Sequence, residues 1–176
     1  LRERGITMPV VVLNADADSF DQMIANRLEP EIYSFRSLAD FADAVSHAGE
    51  TRYPVHIKLD TGMHRLGFME GEIGRLCEVL PTLPAVKVAS VFSHLNCADM
   101  PEEDAYTREQ IARYDRMSAA VAASLPYSVI RHTANSAAIE RFPEARFDMC
   151  RLGLGLYGFG WEHNAGLRPV SALKTR

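Results

Sequence analysis

The stretch "VHIKLDTGMHRLGF" (55–68) puts His56, Lys58 and Asp60 at alternate positions and follows them with Arg65. Alternate residues of an extended strand point the same way, so these three polar groups share one face and Val55, Ile57 and Leu59 share the other. Burying such groups is costly unless they are paired, and a plain core strand has no use for them. Two readings fit the spacing equally. One is a structural ion pair between Lys58 and Asp60 at a strand end. The other is a ligand-facing set, in which Arg65 rides on a loop made compliant by Gly62 and Gly67 and folds back toward whatever Lys58 presents.

Three more stretches carry comparable chemistry. His94 stands at the end of "SVFSHL", where a lone histidine is ordinarily a satisfied structural group. "HTANSAAI" (132–139) places Asn135 and Ser136 at a strand-to-helix junction, a position suited to an N-cap or to an anion site. "RLGLGLYG" (151–158) supplies Arg151 with Gly153, Gly155 and Gly158. Glycines inside a strand weaken it and mark close backbone approach.

These groups need elements to position them. "VVVL" (10–13), "EIYSF" (31–35), "VHIKLD" (55–60), "VKVASVFSHL" (86–95), "YSVIRHTANS" (127–136) and "DMCRLGLGLYG" (148–158) read as six strands. Between them lie helical patterns. Phe20, Met23, Ile24 and Leu28 fall on one face behind an Asp18 or Ser19 cap, and Leu38, Phe41, Ala42 and Val45 follow a Ser37 cap and end at Gly49. Ile73, Leu76, Cys77 and Leu80 mark a helix closed by Pro81, a long helix covers 102–125, and a short one covers 137–141.

Strand–helix alternation predicts an α/β fold with a parallel sheet. No strand runs into a GxGxxG turn, which argues against a dinucleotide-binding doubly wound sheet. Lys58, Asp60, His94, Asn135, Ser136 and Arg151 all stand at C-terminal ends of successive strands, which is how a (β/α)8 TIM-type barrel builds its site. Six strand–helix units leave such a barrel incomplete, with its first two units upstream of Leu1. "LRERGI" reads as the last turn of a helix closed by Gly5, and "PVSALKTR" as the start of an extended segment, so the chain reads as a fragment. The last two strands then become the seventh and eighth, whose loops often hold a phosphate. Ser136 with the N–H groups near Gly153 and Leu154 forms the expected cup.

Composition narrows the function classes. A net charge of -4 without a basic run argues against nucleic acid and membrane surfaces as partners. No window approaches the ~18 apolar residues of a membrane span. Cys77, Cys97 and Cys150 are odd in number and form no CxxC pair, which suggests neither a zinc site nor a disulfide framework and favours a reduced, cytoplasmic setting.

Taken together, "HIKLDTGMHRLGF", "SVFSHL", "RHTANSAAI" and "FDMCRLGLGLYG" resemble the bacterial alanine racemase family, fold-type III pyridoxal-phosphate enzymes, in order and over essentially the whole chain. The resemblance implies a pyridoxal 5'-phosphate barrel over 1–168 and the start of a β-rich domain at 169–176. It implies interconversion of L- and D-alanine, with D-alanine supplied to peptidoglycan, by a cytoplasmic homodimer. It assigns Lys58 as a lysine often carbamylated by CO2, and Arg65 as the contact to the cofactor's phenolic oxygen and the substrate carboxylate. His94 would lie beside the pyridine ring, Asn135, Ser136, Gly153 and Leu154 around the phosphate, and Arg151 opposite the pyridine nitrogen. An arginine there can only donate, so the nitrogen stays unprotonated and the ring is a weaker electron sink, which limits transamination. The family's Schiff-base lysine and catalytic tyrosine match no position here, so the 176 residues alone are expected to be inactive. The runner-up readings are a non-catalytic pyridoxal-phosphate-binding protein, a decarboxylase of the same cofactor, and a barrel metallohydrolase using His56, Lys58, His94 and His132.

Overall fold

A computed structural model describes residues 1–161, 166–172 and 174. Five strands form one parallel sheet: β1 (Val11–Val12), β2 (Glu29–Ile32), β3 (Tyr53–Lys58), β4 (Val86–Phe92) and β5 (Ile130–His132). Between them run α1 (Phe20–Ala25), α2 (Phe35–His47), α3 (Ile73–Val79) and α4 (Asp104–Ala123), and α5 (Ser136–Arg141) follows β5. Each strand pairs with its predecessor, in the order β1-β2-β3-β4-β5. A doubly wound sheet reverses its strand order at a switch point. A sheet that never reverses, with right-handed crossovers, keeps its helices on one side, and that is a sector of a (β/α)8 barrel.

The apolar layer lies between sheet and helices. Val55, Ile57 and Leu59, all fully buried, pack with Ile32, Val88 and Val91 against Leu38, Phe41, Val45, Leu76, Tyr114 and Val121. Phe41 sits edge-on to both Phe20 (5.0 Å) and Tyr53 (5.5 Å), tying α1, α2 and β3 together. The opposite, inner face is polar. It carries Glu29 and Glu31 of β2, His56 and Lys58 of β3, Ser90 and Phe92 of β4, and His132 of β5. A register shift between Val55 and His56, where Val55 pairs with Val88 but His56 pairs with Ser90, makes this possible. The bulge at Ala89 changes the parity of β4, so that Ser90 and Phe92 turn inward although Val86 and Val88 face the helices.

Three expectations from the sequence are corrected. The stretch 148–158 contains no strand. It runs beside β5 through two backbone bonds, Asp148 N–H to Arg131 O and Arg151 N–H to Ala134 O (both 3.0 Å), then turns into a 3₁₀ segment, Leu154–Tyr157, closed by Gly158 at φ 86°. Five strands, not six, are therefore present among the described residues. Glycine at 153 and 155 weakens strand geometry there. The cap of α2 is Ser34, in a reciprocal box with Ser37, because Ser34 alone has extended backbone while Ser37 already lies in the first turn. The strand expected at 31–35 lies at Glu29–Ile32. Of the tail assigned to a following domain, 169–172 and 174 are irregular and 173, 175 and 176 lie outside the described residues. Among the described residues no helix is long and apolar enough to cross a membrane.

Phe41→Ala removes the ring that joins three elements at a fully buried position. The expected loss is about 3–5 kcal/mol in unfolding free energy, read from urea denaturation of the full-length protein. A loss below about 1 kcal/mol would mean that this cluster does not hold the helices to the sheet.

Candidate active site

The loops at the C-terminal strand ends gather three cations. Lys58, at the end of β3, is buried with its Nζ 3.5 Å from Glu31 Oε1 and 4.6 Å from the centre of the Phe92 ring. Burial pushes its pKa down, Glu31 opposes that, and Arg151 and Arg65 add to it. The lysine thus takes its partner from the neighbouring strand, not from Asp60 or Arg65. Asp60 is occupied by its own loop: Oδ1 accepts from the N–H groups of Gly62 (2.9 Å) and His64 (3.1 Å).

That loop is closed at its neck. Phe68 N–H donates to Lys58 O and Asp60 N–H to Phe68 O, both at 2.9 Å. Gly67 has φ 131°, and a Cβ there would come within 2.5 Å of Asp60 N, so only glycine fits. From α4, Tyr106 donates to Gly62 O (2.7 Å) and Arg113 to Thr61 O (3.0 Å). Arg65 stands exposed at the loop tip without a partner among the described residues. With Lys58, Glu31, Leu13, Asn14 and Leu66 it lines a cavity of about 450 Å³.

Arg151 is the third cation. Its Nη1 donates to His132 Nδ1 (2.8 Å) and His132 O (3.3 Å), and its Nη2 to Ser93 O (2.6 Å), Thr133 O (3.2 Å) and His94 Nδ1 (3.3 Å). Burial lowers its pKa to about 10, so it remains charged at neutral pH. Burial, and then Arg151, hold His132 down at about 3; burial with Arg151, Lys58 and Arg65 holds His94 down at about 4. Both imidazoles are neutral and accept from the guanidinium. Its Nε–H takes no partner among the described residues.

The glycine-rich segment meets Ser136. The N–H groups of Gly153 (3.0 Å) and Gly155 (3.1 Å) converge on Ser136 Oγ, and a Cβ on either glycine would stand 3.7 or 3.5 Å from that hydroxyl. The side chain of Leu154 is exposed. Asn135 is a structural brace: its Oδ1 accepts from Ala138 N–H (3.0 Å) and its Nδ2 donates to Leu95 O (3.1 Å). Unpartnered donors on Arg65 and Arg151, a hydroxyl flanked by backbone N–H groups, and a surplus of positive charge suit an anionic ligand rich in acceptors. Pyridoxal phosphate fits that description. His56 and His132 both face Ser90, and no group of three or more His, Cys, Asp or Glu side chains among the described residues could hold a metal.

Sequence reading missed Glu31, Phe92 and Ser93 and gave His132 a role only in the metal reading. An acid inside a strand was the available signal for Glu31. His132 and Phe92 stack at 5.1 Å with rings 5° apart, a contact no spacing rule reveals.

A histidine kept neutral by the fold stabilises above its unfolded pKa near 6.5 and loses that contribution as pH falls toward the folded value. His132 and His94 therefore make stability decline from about pH 6.5 downward, each by up to about 1.4 kcal/mol per pH unit. Thermal melts of the full-length protein between pH 7 and 4.5 read this, and His132→Gln should flatten the slope. An unchanged slope in that variant would remove His132 from the account.

Comparison with known proteins agrees with this arrangement. The family model described as the N-terminal domain of alanine racemase matches residues 1–160. The alanine racemase of Desulfovibrio desulfuricans is 37% identical over 183 residues, spanning 100% of this chain and 48% of the relative, and that of Symbiobacterium thermophilum is 35% identical with the same coverage. The chain thus spans about half the length of the curated relatives it matches. Among solved structures, the Clostridium difficile 630 alanine racemase in complex with cycloserine superposes with a TM-score of 0.86 at 30% identity, covering 96% of this chain and 48% of that one. The enzyme of the D-cycloserine producer Streptomyces lavendulae gives 0.86 at 28% identity, covering 96% and 46%. The parallel sheet, the residues at its strand ends and these matches lead to one assignment: the chain belongs to the alanine racemase family and forms part of that family's N-terminal barrel.

Proposed function

We propose that the full-length protein interconverts L- and D-alanine with pyridoxal 5'-phosphate. Arg151 carries the reading: a permanent donor, set between two neutral imidazoles and with its Nε–H without a partner among the described residues. When bound, the cofactor supplies an electron-withdrawing ring that makes the α-proton of the amino acid removable. Arg151 donates to the pyridine nitrogen and so keeps it unprotonated. The phosphate binds where Ser136 gathers the glycine segment, with the Gly153 N–H passing from Ser136 Oγ to the phosphate beside the Leu154 N–H, Asn135 holds Ser136 in place, and His94 lies against the ring without adding charge. Arg65 orients the phenolic oxygen and the substrate carboxylate. The protein acts as a cytoplasmic homodimer and provides D-alanine for peptidoglycan.

The test uses full-length protein loaded with pyridoxal phosphate and given L-alanine, with D-alanine followed over time. D-alanine should appear, and Arg65→Ala should reduce kcat/KM by about 100-fold or more. Bound cofactor without D-alanine would move the assignment to a binding protein or a decarboxylase.

Lys58 is the carbamylation site in this reading. Its burial favours the free amine that attacks CO2, and Arg65, lining the same cavity, favours the resulting anion. Glu31, 3.5 Å away, opposes both steps. Glu31→Gln should therefore raise carbamate occupancy, measured by ¹³C NMR after ¹³C-bicarbonate. No carbamate signal in either protein would remove the modification from the mechanism.

A further inference from the structure

Arg151 is one end of a longer chain of contacts. His132 Nδ1 accepts from Arg151 (2.8 Å), and His132 Nε2 lies 3.0 Å from Ser90 Oγ. Ser90 Oγ is 2.6 Å from His56 Nδ1, and His56 Nε2 is 2.7 Å from Glu29 Oε2. Glu29, His56, Ser90 and His132 come one each from β2, β3, β4 and β5, so the chain crosses the inner face one strand at a time. His56, Ser90 and His132 are buried at 8%, 1% and 4% exposure, which keeps bulk water from substituting for any of the contacts between them.

The two ends settle the direction. A guanidinium only donates and a carboxylate only accepts. A neutral imidazole has one donor and one acceptor, and the serine hydroxyl has one donor and two acceptor lone pairs. Only one arrangement fills every contact: Arg151 to His132, His132 Nε2–H to Ser90, Ser90 O–H to His56 Nδ1, and His56 Nε2–H to Glu29. Reversing it would set two donors against each other at Arg151 and two lone pairs against each other at Glu29. Chains of aligned hydrogen bonds polarise one another, so the carboxylate end strengthens the lone pair offered at the other.

We propose that Glu29, His56 and Ser90 are positioning residues, which act through His132 to orient Arg151 by holding His132 in its Nε2–H tautomer. None of the three hydrogen-bonds Arg151 directly. The proposal rests on the reading above only in its last step, where Arg151 meets the cofactor ring.

The experiment uses full-length, ¹⁵N-histidine-labelled protein without cofactor and reads the ring nitrogens of His132 and His56 by NMR. Both rings should show Nε2 protonated and Nδ1 bare. Wild-type protein with Nδ1–H on His132 would overturn the proposal outright. Ser90→Ala should replace the single His132 pattern by a mixture of tautomers, while Ser90→Thr, which keeps the hydroxyl, should retain it. Glu29→Ala, cut at the far end, should loosen the pattern in the same sense. A His132 signal unchanged in both Ser90→Ala and Glu29→Ala would show that Arg151 alone sets the tautomer, and the relay would be withdrawn. A second readout separates the two claims. With pyridoxal phosphate bound, Ser90→Ala should shift the cofactor's absorption and Ser90→Thr should not. The tautomer result with an unmoved spectrum would uphold the relay and instead count against Arg151 facing the ring.

Discussion

A positive charge that cannot be surrendered has to be accommodated wherever the chain puts it. Arg151 lies in the segment that runs beside β5, past its C-terminal end, with burial working against its charge, and its surroundings are built from acceptors: three backbone carbonyls and two imidazole nitrogens. Burial, reinforced by its charge, keeps His94 and His132 neutral, and one of the lone pairs it takes is His132 Nδ1. Other features follow from the same demand. Lys58, sharing that positive field, takes an acid from the next strand, and the Phe92 ring offers its face to both cations (4.6 and 5.3 Å).

The sheet separates two environments. Its outer face is closed by aliphatic and aromatic packing against the helices and supplies the apolar burial that drives folding. Its inner face carries one buried and one half-buried acid, imidazoles, a lysine and a serine, each tolerable only because it has a partner on the next strand. Breaking one partner would strand the other in a place where water cannot replace it.

Much of this was legible in the sequence. Strand–helix alternation and polar residues at strand ends pointed to the barrel, and strict alternation in 55–60 correctly separated His56 and Lys58 from Val55, Ile57 and Leu59. The same rule fails on "VKVASVFSHL". It puts Ser90 and Phe92 on the face of Val86 and Val88, whereas the bulge at Ala89 turns them inward. Bulges leave little trace in composition. The glycines of 151–158 were read as close backbone approach inside a strand. The approach is real, to Ser136, but the strand is not, because the segment leaves β5 for a 3₁₀ turn. Glu31 was missed because its partner lies 27 residues away, beyond any local pattern.

The closed neck of the 60–68 loop has an evolutionary meaning. Two backbone bonds and the Cβ-free approach of Gly67 to Asp60 seal the loop where it leaves the strand. An insertion or deletion between Thr61 and Leu66 would move the loop tip without being transmitted to the pairing of β3 with its neighbours. The reach of Arg65 is thereby set within the loop and its ties to α4, apart from the register of the sheet.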